Sequence, residues 1–250
     1  MQPADISARS EMVWLHGWGH THQIFLPLAR AFEQSGWNRL FDLPGFGQTP
    51  KLQDGAGSSD YAEALVNLLP SDCGQRVIVG HSFGCRVAVE LAAKYPQLVD
   101  GLVLIAAAGI PKSRSILWKL RAGALKILGK LAGASDKIFR SSFKSAYQNR
   151  FGSDDYRNAG DLRSTFLAVI NEDLTELARQ ISCPVLLIYG EQDLETPSEI
   201  GEKYRAALPN ATLKILPGFG HLDILSNGRH RIEDLIRKFM TRLNDENRND

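Results

Sequence analysis

The run VIVGHSFGCRVA, Val77 to Ala88, places Ser82 between Gly80 and Gly84. A serine hydroxyl is a poor nucleophile until a neighbouring base takes its proton. G-x-S-x-G between a strand and a helix makes a sharp turn that holds the hydroxyl out at a sheet edge. Its glycines let the flanking backbones pass without a Cβ clash. Alone, the pattern also fits a plain structural turn. VIV before it and CRVAVELAAKY after it read as the strand and helix that an exposed nucleophile requires.

Acyl transfer on such a serine needs a base, an orienting acid and donors for the oxyanion. Six histidines are available. His81 adjoins Ser82, and the turn points it elsewhere; His230 opens a helix and reads as exposed. His221, in PGFGHLDIL, follows the last strand in a glycine-flanked loop at the edge that carries Ser82, and is the candidate base. For the acid, LLIYGEQDLETP offers Glu191, Asp193 and Glu195 just after a strand. Asp193 is the candidate, with the other two as solvated turn charges. The strand after the elbow ends in Ala106-Ala107-Ala108, so no carboxylate competes there. The backbone N–H of Phe83, next to the nucleophile, is one candidate oxyanion donor. Trp18 in the glycine-rich LHGWGH is the other. His16 reads as a buttress of that loop, and His20 and His22 as loop residues able to line a pocket mouth. His20, Trp118 and Phe166 are the candidate pocket residues. Metal ligands at usable spacing are missing, so no metal is expected, and hydrolysis through a serine needs no cofactor.

These residues need a scaffold of alternating elements. Short apolar runs at Met12–Leu15, Arg39–Phe41, Arg76–Val79, Leu102–Ala107, Val185–Tyr189 and Leu213–Leu216 read as strands. Helical patterns at Ile24–Ser35, Asp60–Leu69, Phe83–Tyr95, Ser198–Ala207 and His230–Leu243 separate most of them. Such alternation implies βαβ units, a mostly parallel sheet and helices on both faces. Ligands in these sheets collect beyond the C-terminal strand ends. HGWG, GHSFG, GEQD and GFGH all fall there. One stretch departs from the alternation. From Pro111 to about Gln180 only helical patterning is visible, with one apolar stripe through Ile116, Leu117, Leu120, Ala124, Ile127, Leu128 and Leu131. A second pattern runs through Leu162, Phe166, Val169, Ile170, Leu174 and Leu177. The expected organisation is a core of residues 1–110 and 181–250, with 111–180 as an inserted helical lid.

Composition narrows the setting. The chain has 250 residues, 44% hydrophobic and 23% charged, with net charge +1, which argues for a globular protein and against a nucleic-acid binder. Its longest apolar runs are far too short to span a bilayer, and no secretory leader pattern is visible. Cys73, Cys85 and Cys183 read as free thiols in a reducing cytoplasm. The charge is uneven. Between Pro111 and Arg150 ten basic residues face one acid, Asp136, so this stretch carries +9 and the rest of the chain −8. A solvated helix face is the plain reading. The functional one is an attraction for an acidic partner: an acyl carrier protein, a CoA ester or an anionic membrane surface.

The motifs HGWG, DLPGFGQT, GHSFG, GEQD and GFGH, in this order, resemble the α/β-hydrolase family over essentially the whole chain. HGWG with DLPGFG is similar to pimeloyl-carrier methyl ester esterases and carbon–carbon bond hydrolases. The resemblance implies Ser82, Asp193 and His221 as triad and Trp18 and Phe83 as oxyanion donors. It also implies a structural loop over Asp42–Thr49. Few residues precede the HGWG strand, so the family's first antiparallel strands are expected to be shortened or absent, leaving about six strands. The leading expectation is a serine hydrolase acting on a small carboxylic ester or thioester. Carbon–carbon hydrolysis, other chemistries of the fold, or a non-catalytic ligand receptor remain as alternatives.

Overall fold

In the computed structural model, residues 10–70, 73–112 and 154–246 are described. Six strands form one sheet: β1 (Glu11–Leu15), β2 (Trp37–Phe41), β3 (Arg76–His81), β4 (Gly101–Ile105), β5 (Val185–Gly190) and β6 (Ala211–Leu216). Their spatial order is β2-β1-β3-β4-β5-β6, and every pairing is parallel. β1, β3, β4 and β5 are buried along their full length, while β2 and β6 are partly exposed edges. Central strands of a parallel sheet are covered on both faces, which is why their sequences run apolar without alternation.

Successive side chains in a strand point to opposite faces, so each strand feeds two cores. On one face Val13, Leu15, Ile78, Leu102, Leu104 and Leu187 pack with Tyr61, Val87, Leu91 and Tyr204. On the other, Met12, Trp14, Val79, Val103, Ile105 and Ile188 pack with Phe25, Phe32, Ile236 and Phe239. The α-helices around the sheet are α1 (Leu26–Ala29), α2 (Ser58–Val66), α3 (Phe83–Lys94), and three helices before β5, namely α4 (Asp154–Asn158), α5 (Arg163–Ile170) and α6 (Thr175–Ala178). Beyond β5 come α7 (Ser198–Ala207), α8 (Asp223–Ser226) and α9 (Arg229–Glu246).

The helix expected over Ile24–Ser35 is instead three short pieces, 3-10 turns at His22–Phe25 and Arg30–Phe32 flanking α1. Pro27 lies in α1 and has no N–H to continue a ladder from the preceding turn. Over the described part of 111–180 the backbone is helical or irregular, with no strand. Phe166, Val169 and Leu174 of the expected pattern are buried there, and Ile170 is exposed. Trp118, the first apolar stripe and most of the basic stretch lie outside the described residues. No antiparallel strand precedes β1 among the described residues, and no described helix is long and apolar enough to cross a membrane. The chain places β2 on one side of β1 and β3 on the other, so the direction of winding reverses between β1 and β3. A crevice opens at such a switch point, beyond the carboxyl ends of the two strands. Leu15 ends β1 and leads into HGWG; His81 ends β3 and leads into Ser82.

Candidate active site

Ser82 sits between β3 and α3 at φ 50° and ψ −109°, a conformation L residues rarely adopt. The surroundings hold it there. Its N–H donates to Ile105 O at 3.0 Å, and Cys85 N–H donates to Ser82 O at 3.1 Å. The two glycines are required by close approach. A Cβ on Gly80 would lie 2.8 Å from Cys85 N, and one on Gly84 would lie 2.0 Å from Leu15 O. The HGWG loop presses on the elbow from β1. A Cβ at Gly17 would stand 3.4 Å from Ser82 Cβ and 2.8 Å from His81 Nδ1. The Phe83 N–H is the first of the orphan donors at the start of α3. Trp18 packs its ring edge-on against Phe83 at 5.4 Å and Phe46 at 5.1 Å, which fixes the loop that carries its backbone N–H.

Asp193 and His221 meet across two strand ends. His221 Nδ1–H donates to Asp193 Oδ2 at 2.7 Å. Asp193 is buried, and its other oxygen accepts the N–H groups of Glu195 and Thr196, both at 2.8 Å. Burial works to raise the Asp193 pKa, but the hydrogen bond and charge of His221, with the Thr196 donors, outweigh it and hold the carboxyl below its ordinary value. Asp193 is therefore ionised at neutral pH and fixes the His221 tautomer with its proton on Nδ1. That leaves Nε2 as the acceptor.

One cleft of about 450 Å³ gathers Ser82, His221, Trp18, Gly17 and His20, with Asp155, Glu195 and Leu222 around it. The side chain of Ser82 makes no hydrogen bond among the described residues. His20 lines the cleft, and burial lowers its pKa. Phe166 stands one layer back, buried against Trp18 at 5.0 Å. His22 is turned away, with its backbone N–H and Nδ1 on Asp42 Oδ1 at 2.7 and 2.8 Å. No group of three or more metal-ligating side chains occurs among the described residues.

Two residues went unrecognised in the sequence. Thr196 donates its hydroxyl at 2.8 Å to Asp193 Oδ2, and its Oγ1 also lies 3.0 Å from Ala106 O and 3.1 Å from His221 Nδ1. Its signal was only its position three residues after an aspartate in a turn. Glu195, read as a solvated charge, lies with Oε2 3.6 Å from His221 Nε2.

Two buried histidines brace the site as neutral rings. His16 Nδ1 donates to Gly17 O at 2.8 Å, and Nε2 accepts the Leu43 N–H at 3.0 Å. Burial pushes His16 down to about 4, although the Gly17 hydrogen bond and Asp42 pull the other way. His81 donates from Nε2 to His221 O at 3.0 Å, tying the base loop to the elbow. Burial, then the charge of His221, pushes it down to about 3. Unfolded, both return to about 6.5, so below that pH the unfolded chain binds more protons. Stability is complete above pH 6.5 and is lost as the pH falls from there through about 4 for His16 and about 3 for His81, by several kcal/mol in total. The loss from Asp42 and Asp193, whose pKa values are lowered from 3.8, sets in only at the acid end of this window. Urea midpoints measured from pH 7 to pH 4 should fall steadily, and a flat series would contradict the neutral-ring reading.

A parallel sheet with a strand–serine–helix elbow at its switch point defines the α/β-hydrolase fold. The chain belongs to the Alpha/beta hydrolase family, whose model matches residues 12–235. It is similar to the pimeloyl-[acyl-carrier protein] methyl ester esterase of Chromobacterium violaceum, 28% identical over 92% of this chain and 94% of that protein. An uncharacterized protein of Mycobacterium tuberculosis is 29% identical over 80% of this chain, and the match spans only 66% of that relative's length. In fold, a thermophilic esterase from Thermogutta terrifontis superposes with a TM-score of 0.69 at 20% identity, covering 94% of this chain and 91% of that one.

Proposed function

We propose that the protein is a serine hydrolase that cleaves a small carboxylic ester or thioester through an acyl-enzyme on Ser82. The observation that carries this reading is the buried Asp193–His221 hydrogen bond at 2.7 Å, beside the cleft that His221 and Ser82 both line. His221 Nε2 takes the Ser82 proton as Oγ bonds the substrate carbonyl carbon. The Trp18 and Phe83 N–H groups receive the oxyanion. His221 then gives the proton to the departing alkoxide or thiolate, and Asp193 stabilises the imidazolium between the two transfers. Water repeats the sequence, releasing the acid and restoring Ser82.

The likeness to pimeloyl-[acyl-carrier protein] methyl ester esterases supports an ester borne on an acidic carrier. The basic stretch from Pro111 to Arg150, read as part of a lid over 111–180, is the surface for that carrier, and the setting is cytoplasmic. A fluorophosphonate probe tests the chemistry. The expected result is one adduct, mapped by mass spectrometry to Ser82, and turnover on part of a panel of esters and thioesters from acetyl to octanoyl. An unlabelled protein would overturn the acyl-enzyme. Labelling without turnover on any member would move the reaction to carbon–carbon bond hydrolysis.

A further inference from the structure

A second cavity of about 680 Å³ lies next to the Ser82 cleft, in the size range of small-molecule sites. The two share Glu195 in their linings. Thr196, whose hydroxyl touches the Asp193–His221 pair, also lines the second cavity. Arg86 lines it from α3, four residues after Ser82. That spacing puts it one turn into the helix that Ser82 precedes.

Arg86 is only 9% exposed, yet its engagement is loose. Nη1 donates to Glu172 O at 3.4 Å and lies 3.6 Å from Glu172 Oε2. The Glu172 carboxylate is committed elsewhere, to the Ser58 N–H and the Ser58 hydroxyl, both at 2.7 Å. Nε and Nη2 of Arg86 make no hydrogen bond among the described residues. A buried guanidinium is costly unless its donors are satisfied, and its planar fork fits a carboxylate through two parallel bonds. Lys112 adds a second cation at the rim, where Nζ holds Leu194 O at 3.1 Å. Two carboxylates also line this cavity: Glu172, whose oxygens are taken by Ser58, and Glu195, which both clefts share and which is 64% exposed, so solvent screens it.

We propose that this second cavity is an anion subsite, in which Arg86 binds a carboxylate carried by the substrate some carbons away from the bond that Ser82 attacks. The inference rests on the esterase reading and narrows its substrate class to carboxylate-bearing esters. The carboxylate can belong to the acyl part, as in a half-ester of a dicarboxylic acid, or to the alcohol part, as in an ester of a hydroxy acid. Monomethyl adipate against dimethyl adipate tests the first source; O-acetyl-4-hydroxybutyrate against butyl acetate tests the second. The wild type should favour at least one anionic ester over its neutral counterpart in kcat/KM. Arg86→Gln should lower that preference about 10- to 100-fold, the scale of a hydrogen bond to a charged group. Lys112→Ala, at an exposed position that puts folding at no risk, should lower it severalfold. Calorimetric titration of the wild type reads the subsite without turnover: adipate should bind more tightly than its uncharged diamide, adipamide, or 4-hydroxybutyrate more tightly than butanol. Equal binding within both pairs, or neutral esters cleaved as fast as both anionic ones, would overturn the subsite and leave the acyl-enzyme standing. Absence of fluorophosphonate labelling alongside selective adipate binding would remove the acyl-enzyme and leave the subsite.

Discussion

Ser82→Ala should lower kcat on any ester the wild type cleaves by about 10⁶-fold, and should leave the thermal midpoint nearly unchanged. The size follows from the covalent route. Without Oγ no acyl-enzyme forms, and the reaction falls back on water positioned beside the oxyanion donors, which alone are worth about 10³-fold over solution. The indifference of stability follows from what Oγ does at rest, since the Ser82 side chain makes no hydrogen bond among the described residues. Alanine also has the same Cβ demand as serine at φ 50°. Asp193→Asn supplies the internal control. It keeps the shape of the acid but removes the charge that fixes the His221 tautomer, a loss of about 10⁴-fold where such pairs act together. The double variant should be no slower than Ser82→Ala alone, because His221 has no hydroxyl left to deprotonate. Additive losses, or a Ser82→Ala protein with more than a hundredth of the wild-type rate, would show that Ser82 is not the nucleophile.

The parts of the site that were legible in the sequence depend on short-range chemistry. G-x-S-x-G betrays itself because Gly84 must pass within contact of Leu15 O and Gly80 beneath the Cys85 backbone, and no other residue fits. The central strands are legible because burial on both faces requires runs such as Leu102–Ile105 and Val185–Tyr189. The position of Ser198–Ala207 follows from helical spacing after a proline. What stayed hidden depends on partners far away in the chain. The Glu172 carboxylate reaches back over 114 residues to cap α2 at Ser58, and the long Arg86–Glu172 contact follows from that commitment. Thr196 and Glu195 look like turn polarity until β5 and β6 bring His221 beside them. Pro27 illustrates the opposite limit, a local signal that apolar periodicity overrode and that the backbone obeys.

Glu11→Ala should cost about 3–5 kcal/mol, the price of leaving a buried cation alone, and lower the thermal midpoint by about 10 °C. Nothing in its sequence neighbourhood marks Glu11, the first residue of β1. It faces Arg76 across the β1–β3 register, and both are 2% exposed. Glu11 Oε2 accepts from Arg76 Nε at 2.6 Å, while Arg39 of β2 reaches Oε1. Arg76 is held further by the carbonyls of Leu98 and Pro70. Removing the acid leaves this guanidinium with neutral carbonyl acceptors in place of its counter-charge, whereas Arg39, 44% exposed, can turn to solvent. The pair therefore behaves asymmetrically. Glu11→Leu with Arg76→Met should recover at least half of the loss, because the desolvation of two charges is removed together with their attraction. The network lies at the N-terminal ends of the strands, opposite Ser82, so kcat per folded molecule should be the same in all three proteins. Urea denaturation at pH 7 measures the first effect and active-site titration with the fluorophosphonate the second. A double variant less stable than Glu11→Ala would mean that the ion pair itself, and not the isolation of Arg76, sets the stability of this end of the sheet.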